Sequence, residues 1–215
     1  MLKKTIRLQD KDFKYIVESK VGSVTTINEK EYLYFAGTGY FQLQSHPEMI
    51  KAACNATIKF GIGSATLRTI SGTTNLLLEL EHNIAGFFEA EAAVYLPSGY
   101  LSNIAGFQAL EELGLFDVIF IDENAHYSNI GGARLIGKKI ITFNHLSFAD
   151  LRNKIKKHLK GDEKPLIVSD GLFPIWAELA PLAEYLKIAE EFNGAVWIDD
   201  SHSVGIFRGK WKRDL

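Results

Sequence analysis

The sequence predicts an α/β domain built on a mostly parallel sheet, with helices on both faces in a three-layer α/β/α arrangement. The strand-like segments at 117–122, 166–169 and 195–198 are apolar at consecutive central positions. They lack the alternation of apolar and polar residues that is typical of a sheet with one face in water. Segments of about three helical turns separate them. In such sheets ligands bind at the carboxyl ends of the strands.

An N-terminal arm is expected over residues 1–45, followed by the large domain over residues 46–215. The arm contains two strand-like pieces, Ser23–Ile27 and Tyr32–Ala36, around a turn that begins at Asn28. Gly37-Thr-Gly then interrupts the pattern. The arm therefore contains a hairpin at most.

From Ser45 onward, helices and strands alternate. His46-Pro47 opens a helix to about Phe60, since proline is tolerated in the first turn. A second helix follows Ser71-Gly-Thr-Thr-Asn75, with leucines at helical spacing. The later predicted strands are Ala92–Leu96, Asp117–Asp122, Lys139–Phe143, Leu166–Ser169 and Ala195–Ile198. The later predicted helices are Tyr100–Leu113, Tyr127–Ile136, Phe148–Leu159 and Leu182–Phe192.

Composition excludes several functional classes. The chain has 215 residues and a net charge of -2, which gives no electrostatic footprint for nucleic acid. Its single cysteine, Cys54, rules out a disulfide framework and suits a reducing cytosol. No apolar run approaches the ~20 residues that span a bilayer, and the N-terminus lacks the apolar stretch of a signal peptide. We expect a cytoplasmic protein without a membrane span.

Two strand ends offer groups for a phosphorylated ligand. Ser98-Gly99-Tyr100 lies between a strand and a helix, where backbone N–H groups and the helix dipole favour a phosphate. An ordinary turn explains the same residues. His126 follows the strand that ends at Asp122, and its imidazole can stack on a ring or transfer a proton. A surface histidine is the alternative.

The last strand ends in Asp199-Asp-Ser-His202. A carboxylate at that depth needs a partner, because burying an unpaired charge is costly. A protonated ring nitrogen is one partner, and His202 can reach a hydroxyl on the same ring, so the pair suits pyridoxal phosphate. A metal bound by Asp199, Asp200 and His202, or a structural salt bridge, would also satisfy the carboxylate. No metal is expected once all strand ends are considered together.

The chain resembles the α-oxoamine synthases, pyridoxal-phosphate enzymes of the aspartate-aminotransferase fold (fold type I). The family includes 8-amino-7-oxononanoate synthase, 2-amino-3-ketobutyrate CoA ligase, 5-aminolevulinate synthase and serine palmitoyltransferase. The resemblance runs from about Tyr32 to Gly209. It rests on collinear motifs: Ser45-His-Pro, Phe60-Gly-Ile-Gly-Ser, Ile70-Ser-Gly-Thr, Leu78-Glu-Leu-Glu, Ser98-Gly-Tyr-x-x-Asn, Asp122-Glu-Asn-Ala-His, Ala180-Pro-Leu and Asp199-Asp-Ser-His-Ser-Val-Gly.

The resemblance implies a role for each matching position. His126 matches the histidine that stacks on the pyridine ring, Asp199 the aspartate on the ring nitrogen, and His202 the histidine near the phenolic oxygen. His126 and His202 are therefore the expected catalytic residues. Ser98, Gly99 and Tyr100 match the phosphate side of the site. Asp170 matches an acidic residue, usually glutamate, that supports the pocket.

The implied reaction condenses an amino acid with an acyl-CoA or acyl-carrier thioester, with loss of CO2 in most members. The resemblance also implies a homodimer with active sites at the subunit interface. Three departures from the family pattern matter. The family's Schiff-base lysine lies well beyond Asp-Asp-x-His, whereas this sequence ends thirteen residues past His202. Lys210 and Lys212 lack the context of that lysine, so the sequence is expected to be the front part of a longer enzyme, without its C-terminal domain.

The other two departures concern substrate-facing segments. Phe173-Pro-Ile-Trp-Ala177 replaces Phe-Ser-Met-Asp-Gly, and Thr38-Gly-Tyr40 replaces an asparagine-containing segment. These changes leave two alternatives open. The chain could be a non-catalytic, lysine-less subunit that pairs with a catalytic partner in a heterodimer. It could also be another fold type I enzyme, such as an aminotransferase or an aldolase.

Overall fold

The structure is a computed structural model that describes residues 15–206. The chain divides into two compact units, with the boundary between Thr74 and Asn75. The boundary of the arm near residue 45 stays a prediction. Lys210 and Lys212 lie outside the described residues.

The first unit contains an antiparallel hairpin of β1 (Val24–Ile27) and β2 (Lys30–Leu33). The turn is only two residues long, and Asn28 and Glu29 both adopt positive φ angles, 49° and 63°. Two-residue turns of this kind match the twist of the flanking strands. The tight turn explains why β2 starts two residues before the predicted strand at Tyr32–Ala36.

The rest of the first unit is helical or irregular. A short 3-10 segment at Tyr40–Ser45 precedes α1 (Pro47–Phe60). His46 caps this helix, because its Nδ1 accepts a hydrogen bond of 3.3 Å from the backbone N–H of Glu48. A π-helical turn follows at Arg68–Gly72. The predicted first helix is therefore confirmed, whereas the two short turns were not predicted.

The second unit contains the predicted parallel sheet and the helices that flank it. Its helices are α2 (Asn75–Phe88), α3 (Gly99–Glu112), α4 (Tyr127–Leu135), α5 (Phe148–His158) and α6 (Leu182–Glu191). Its strands are β3 (Val118–Asp122), β4 (Lys139–Phe143), β5 (Pro165–Asp170), β6 (Leu172–Phe173), β7 (Glu178–Leu179) and β8 (Ala195–Asp199). Four strands form a parallel sheet in the order β4-β3-β5-β8.

Apolar side chains cover both faces of this sheet, as the continuous runs predict. On one face Phe120 and Ile167 pack in a cluster with residues from α5 and α6, including Leu151 and Tyr185. On the other face Val168 packs in a cluster with residues from α3 and α4. Successive residues of a strand point to opposite faces, so a strand buried on both sides is apolar throughout. The three-layer α/β/α architecture is confirmed.

The predicted strand at Ala92–Leu96 is wrong. Among residues 15–206 no strand pairs with this segment, and Val94 is 72% exposed. The backbone N–H of Tyr95 donates instead to the Glu81 carboxylate at 2.7 Å. An apolar run becomes a strand only where a neighbour takes its backbone hydrogen bonds.

One small element was not predicted. Strands β6 and β7 form an antiparallel hairpin whose connection contains Pro174, Ile175 and Trp176. Strands of two residues are too short to produce a periodic pattern in the sequence. No helix within the described part of the chain is both long enough and apolar enough to cross a membrane.

Candidate active site

Asp199 ends β8 with its carboxylate held by three hydrogen bonds. Asn103 Nδ2 donates to Oδ2 at 2.8 Å, while the backbone N–H and the hydroxyl of Ser201 donate to Oδ1 at 3.2 and 2.6 Å. Burial raises the pKa of this carboxyl, but the hydrogen bonds from Ser201 and Asn103 outweigh it and lower the pKa below the usual value. Asp199 is therefore ionised at neutral pH.

Asp170 ends the neighbouring strand β5, directly across from Asp199 in the register of the sheet. Its Oδ1 accepts from the backbone N–H of His126 and from Asn129 Nδ2, both at 3.0 Å. The residue is only 4% exposed. Burial, helped by the charge of Asp199, raises the pKa of Asp170 to about 6 despite these two bonds. Asp170 therefore anchors the backbone at His126.

His126 is half-buried and caps α4. Its Nδ1 lies 2.6 Å from the hydroxyl of Ser128 and 3.4 Å from the Ser128 backbone nitrogen. The ring centroids of His126 and Tyr127 are 4.1 Å apart. The imidazole thus stands at the carboxyl edge of the sheet, held by Ser128 on one side and Asp170 at its backbone.

The N-terminus of α3 approaches the end of β8. Ser98 caps this helix, since its hydroxyl accepts from the backbone N–H of Leu101 at 3.2 Å. A side chain at Gly99 would meet only the Ser201 hydroxyl, 3.8 Å from the position of its Cβ. The ring of Tyr100 lies 5.9 Å from that of Tyr127. An exposed, glycine-containing helix N-terminus next to Asp199 offers backbone donors for an anion.

The turn after Asp199 holds the remaining predicted residues. The Ser203 hydroxyl donates to the carboxylate of Asp200. Burial raises the pKa of Asp200, with the charge of Asp199 adding to the effect and the Ser203 bond opposing it. His202 is half-buried in the same turn. The Asp200 carboxylate is thus hydrogen-bonded within its own turn.

The structure brings the predicted positions Ser98, Gly99, Tyr100, His126, Asp170, Asp199 and His202 to one edge of the sheet. Their roles stay predictions, because position alone does not assign a function. No role was predicted for Asn103, Ser128 or Trp197, although hydrogen bonds between their side chains link the site. Asn103 bonds to Ser128 at 2.9 Å and to Trp197 at 3.0 Å, besides its bond to Asp199. A polar residue on the inward face of an otherwise apolar helix was the available signal.

The donor set fits pyridoxal phosphate. An ionised carboxylate offers about four lone-pair sites. Three sites of Asp199 are filled within residues 15–206, which leaves one for a ring N–H. The helix N-terminus suits a phosphate, and the His126 imidazole suits stacking on an aromatic ring. No cluster of three or more His, Cys, Asp or Glu side chains in the described ranges could hold a metal ion.

Known sequences from one enzyme family match most of this chain. Residues 33–213 match the family described as aminotransferase class I and II. Serine palmitoyltransferase of Sphingobacterium spiritivorum is 35% identical over 190 residues, which are 88% of this chain and 47% of that protein. 8-Amino-7-oxononanoate synthase of Bacillus pumilus is 34% identical over 190 residues, which are 88% of this chain and 48% of that protein. The chain spans about half the length of these relatives.

Solved structures share the fold. Serine palmitoyltransferase of Sphingomonas wittichii superposes with a TM-score of 0.78 at 24% identity, over 86% of this chain and 46% of that one. Serine palmitoyltransferase of S. paucimobilis with bound PLP-myriocin gives a TM-score of 0.77 at 25% identity, over 86% of this chain and 47% of that one. The predicted fold type I architecture is confirmed by these neighbours.

Proposed function

The chain belongs to the aminotransferase class I and II family, and we propose that it forms the pyridoxal-phosphate-binding part of a cytoplasmic α-oxoamine synthase. The relatives named 8-amino-7-oxononanoate synthase and serine palmitoyltransferase support this choice. So does the neighbouring serine palmitoyltransferase structure with bound PLP-myriocin.

The observation that carries the proposal is the state of Asp199. Its carboxylate is half-buried at a strand end, ionised and oriented by three donors, with one acceptor site left within the described residues. Asp199 would accept from a protonated ring nitrogen at that site, and its charge would be balanced there. Bound in this way, pyridoxal phosphate stabilises the negative charge that develops at the α-carbon of an amino acid.

The other residues divide the remaining work. His126 would stack on one face of the pyridine ring, and its backbone is fixed by Asp170. Backbone N–H groups at Gly99 and Tyr100, with the cap residue Ser98, would hold the phosphate. His202, three residues beyond Asp199, would exchange a proton with the ring hydroxyl or the substrate.

The substrates are an amino acid and an acyl-CoA or acyl-carrier thioester. The reaction joins the α-carbon of the amino acid to the acyl carbonyl carbon and releases the thiol, with CO2 lost in most related reactions. This assignment comes from the relatives and the resemblance, since Asp199 and His126 alone suit several reactions of amino acids.

An assay of thiol release tests this assignment. The full-length protein, saturated with pyridoxal phosphate, is incubated with a panel of amino acids and acyl-CoA thioesters. We expect free CoA to appear only when both substrates are present, with an aminoketone product identified by mass. Formation of a keto acid without thiol release would instead indicate an aminotransferase and overturn the proposal.

Homodimer formation is part of the proposal. Large apolar side chains are exposed in the first unit, among them Ile58 at 85%, Ile62 at 100% and Ile70 at 73%. Large exposed apolar side chains in such number favour an interaction surface. A sedimentation experiment on the full-length protein tests this point. A concentration-independent monomer would contradict it.

The β6–β7 hairpin favours a second candidate, a non-catalytic subunit that pairs with a catalytic partner. Ile175 is 80% exposed and Trp176 50% exposed in this connection, where the family pattern places small and acidic residues. Borohydride reduction of the protein from its native source separates the candidates. A cofactor fixed covalently to this polypeptide supports the enzyme, and its absence supports the non-catalytic subunit.

A further inference from the structure

We propose that Asn103 is a positioning residue that joins Asp199 to His126 through one directional chain of hydrogen bonds. The chain runs from Trp197 through Asn103 and Ser128, and it holds His126 as a neutral imidazole with its proton on Nε2. The benefit of this arrangement for cofactor binding rests on the function proposed above. The hydrogen-bond chain itself is independent of that function.

Asn103 lies where three elements meet. It is 4% exposed on α3, and its side chain contacts β8 and α4. Nδ2 donates to Asp199 at 2.8 Å and to Ser128 Oγ at 2.9 Å, while Oδ1 accepts from Trp197 Nε1 at 3.0 Å. Both hydrogens and the oxygen of the amide are therefore used, and every partner comes from another element.

The chemistry of the two end groups fixes the direction of the chain. An indole N–H can only donate, and an ionised carboxylate can only accept. A reversed amide would place the Asn103 oxygen against Asp199 and its N–H groups against the N–H of Trp197. Only the observed orientation satisfies both neighbours, so the amide of Asn103 cannot flip.

The same logic extends to His126. Because the Ser128 hydroxyl accepts from Asn103, its own hydrogen is available for His126 Nδ1, 2.6 Å away. The backbone N–H of Ser128 also donates to Nδ1, at 3.4 Å. With two donors directed at it, Nδ1 acts as the acceptor, and the proton of the neutral ring resides on Nε2.

The consequence is an uncharged ring where the pyridine is expected to stack. A cationic imidazole placed on a protonated pyridine would be repelled by it, because both rings would carry positive charge. Asn103 thus sets the Asp199 carboxylate for the ring nitrogen while supporting a neutral His126. The Asn103 side chain thus positions both Asp199 and His126, the two residues proposed to contact the cofactor ring.

Nitrogen-15 spectroscopy of the cofactor-free full-length protein tests the chain without relying on activity. In the wild type we expect His126 to show an unprotonated Nδ1 and a protonated Nε2. Ser128→Ala removes the hydroxyl link to His126 but keeps the backbone N–H donor, and it should move both shifts part of the way toward the other tautomer. A protonated Nδ1 in the wild type, or unchanged shifts in Ser128→Ala, would overturn the proposal.

Cofactor affinity supplies the second measurement. Asn103→Leu should weaken pyridoxal-phosphate binding about 10- to 100-fold, since it removes a hydrogen bond to a charged group. Phe107→Leu on the next turn of α3 is the matched control, which disturbs packing but keeps every bond of the chain. Equal affinities for the two variants would contradict the role of Asn103. Failure of the wild type to bind pyridoxal phosphate at all would refute the proposed function alone.

Discussion

Asp170 and Asp199 end adjacent parallel strands and are register partners, yet their environments differ sharply. Asp199 receives three hydrogen bonds spread over both oxygens, and its pKa is lowered. Asp170 receives two, both on Oδ1, and burial raises its pKa to about 6. The two carboxyls differ in burial as well as in the number and placement of their donors.

The difference indicates a division of roles. Two nearby acids with pKa values pushed apart do different work in a site. Asp199 is charged and has an acceptor position left for a ligand. Asp170 Oδ1 holds the backbone N–H of His126 and the side chain of Asn129. We propose that Asp199 binds the ligand and that Asp170 holds the structure around it.

Replacing Asp199 with asparagine should have the largest effect. The amide side chain would keep the shape and can still accept from Ser201, but it loses the charge that holds a protonated ring nitrogen. We expect kcat for thiol release to fall about 10²- to 10³-fold, the scale of removing one electrostatic contact to a reacting group. Asp170→Asn is the paired variant, and an equal loss in both would erase the proposed division of roles.

A third strand-end carboxyl, Asp122, extends the comparison with a purely structural case. It is fully buried, and its Oδ1 lies 2.8 Å from His145 Nδ1, while the His145 Nε2 lies 3.2 Å from Glu178 on β7. Removal of a partner from a buried charge is costly. His145→Ala should therefore lower the free energy of unfolding by about 3 kcal/mol. His82→Ala, on the exposed side of α2, should leave the urea midpoint unchanged.

The His145 effect should depend on pH. Burial lowers the pKa of His145, but hydrogen bonds and charges from Asp122 and Glu178 together outweigh it, and the pKa is raised. Glu123 also faces this residue, since its carboxylate accepts from the His145 backbone N–H at 2.9 Å. A raised pKa stabilises the fold fully below the ordinary value of about 6.5 and less as pH rises through the folded value. A gap between wild type and variant that widens above neutral pH would contradict this.

Asp170→Asn should give a smaller change of opposite sign. An asparagine keeps the acceptor for His126 and Asn129 but removes the buried charge. The folded state of the wild type binds the Asp170 proton more tightly than the unfolded state, so wild-type stability falls as pH rises from about 4 to about 6. Above that range the variant should be about 2 kcal/mol more stable. Urea unfolding at pH 4 and pH 8 measures this, and equal midpoints at pH 8 would argue against a costly charge at Asp170.

Much of this picture could be predicted from the sequence. The buried strands can be predicted because each is an apolar run. The acids at the strand ends can be predicted because a carboxylate directly follows such a run. The strand predicted at Ala92–Leu96 is wrong, because this apolar run has no paired neighbour among the described residues. The pattern within a segment does not report whether a partner strand exists.

The hydrogen-bond network was harder to predict for a similar reason. Asn103 and its partners Trp197 and Asp199 are separated by 94 and 96 positions in the chain. No local periodicity connects residues so far apart. Their meeting depends on the order of the strands and on how α3 packs against β8. The individual acids were visible in the sequence, whereas the donors that make them different were not.

We propose that Asp199, and not Asp170, holds a protonated pyridine nitrogen. The nitrogen-15 shift of ring-labelled pyridoxal phosphate bound to the full-length protein near pH 8 tests this assignment most directly. We expect a protonated ring nitrogen in the wild type and in Asp170→Asn, and an unprotonated one in Asp199→Asn. A ring that stays protonated in Asp199→Asn, or loses its proton in Asp170→Asn, would contradict the assignment.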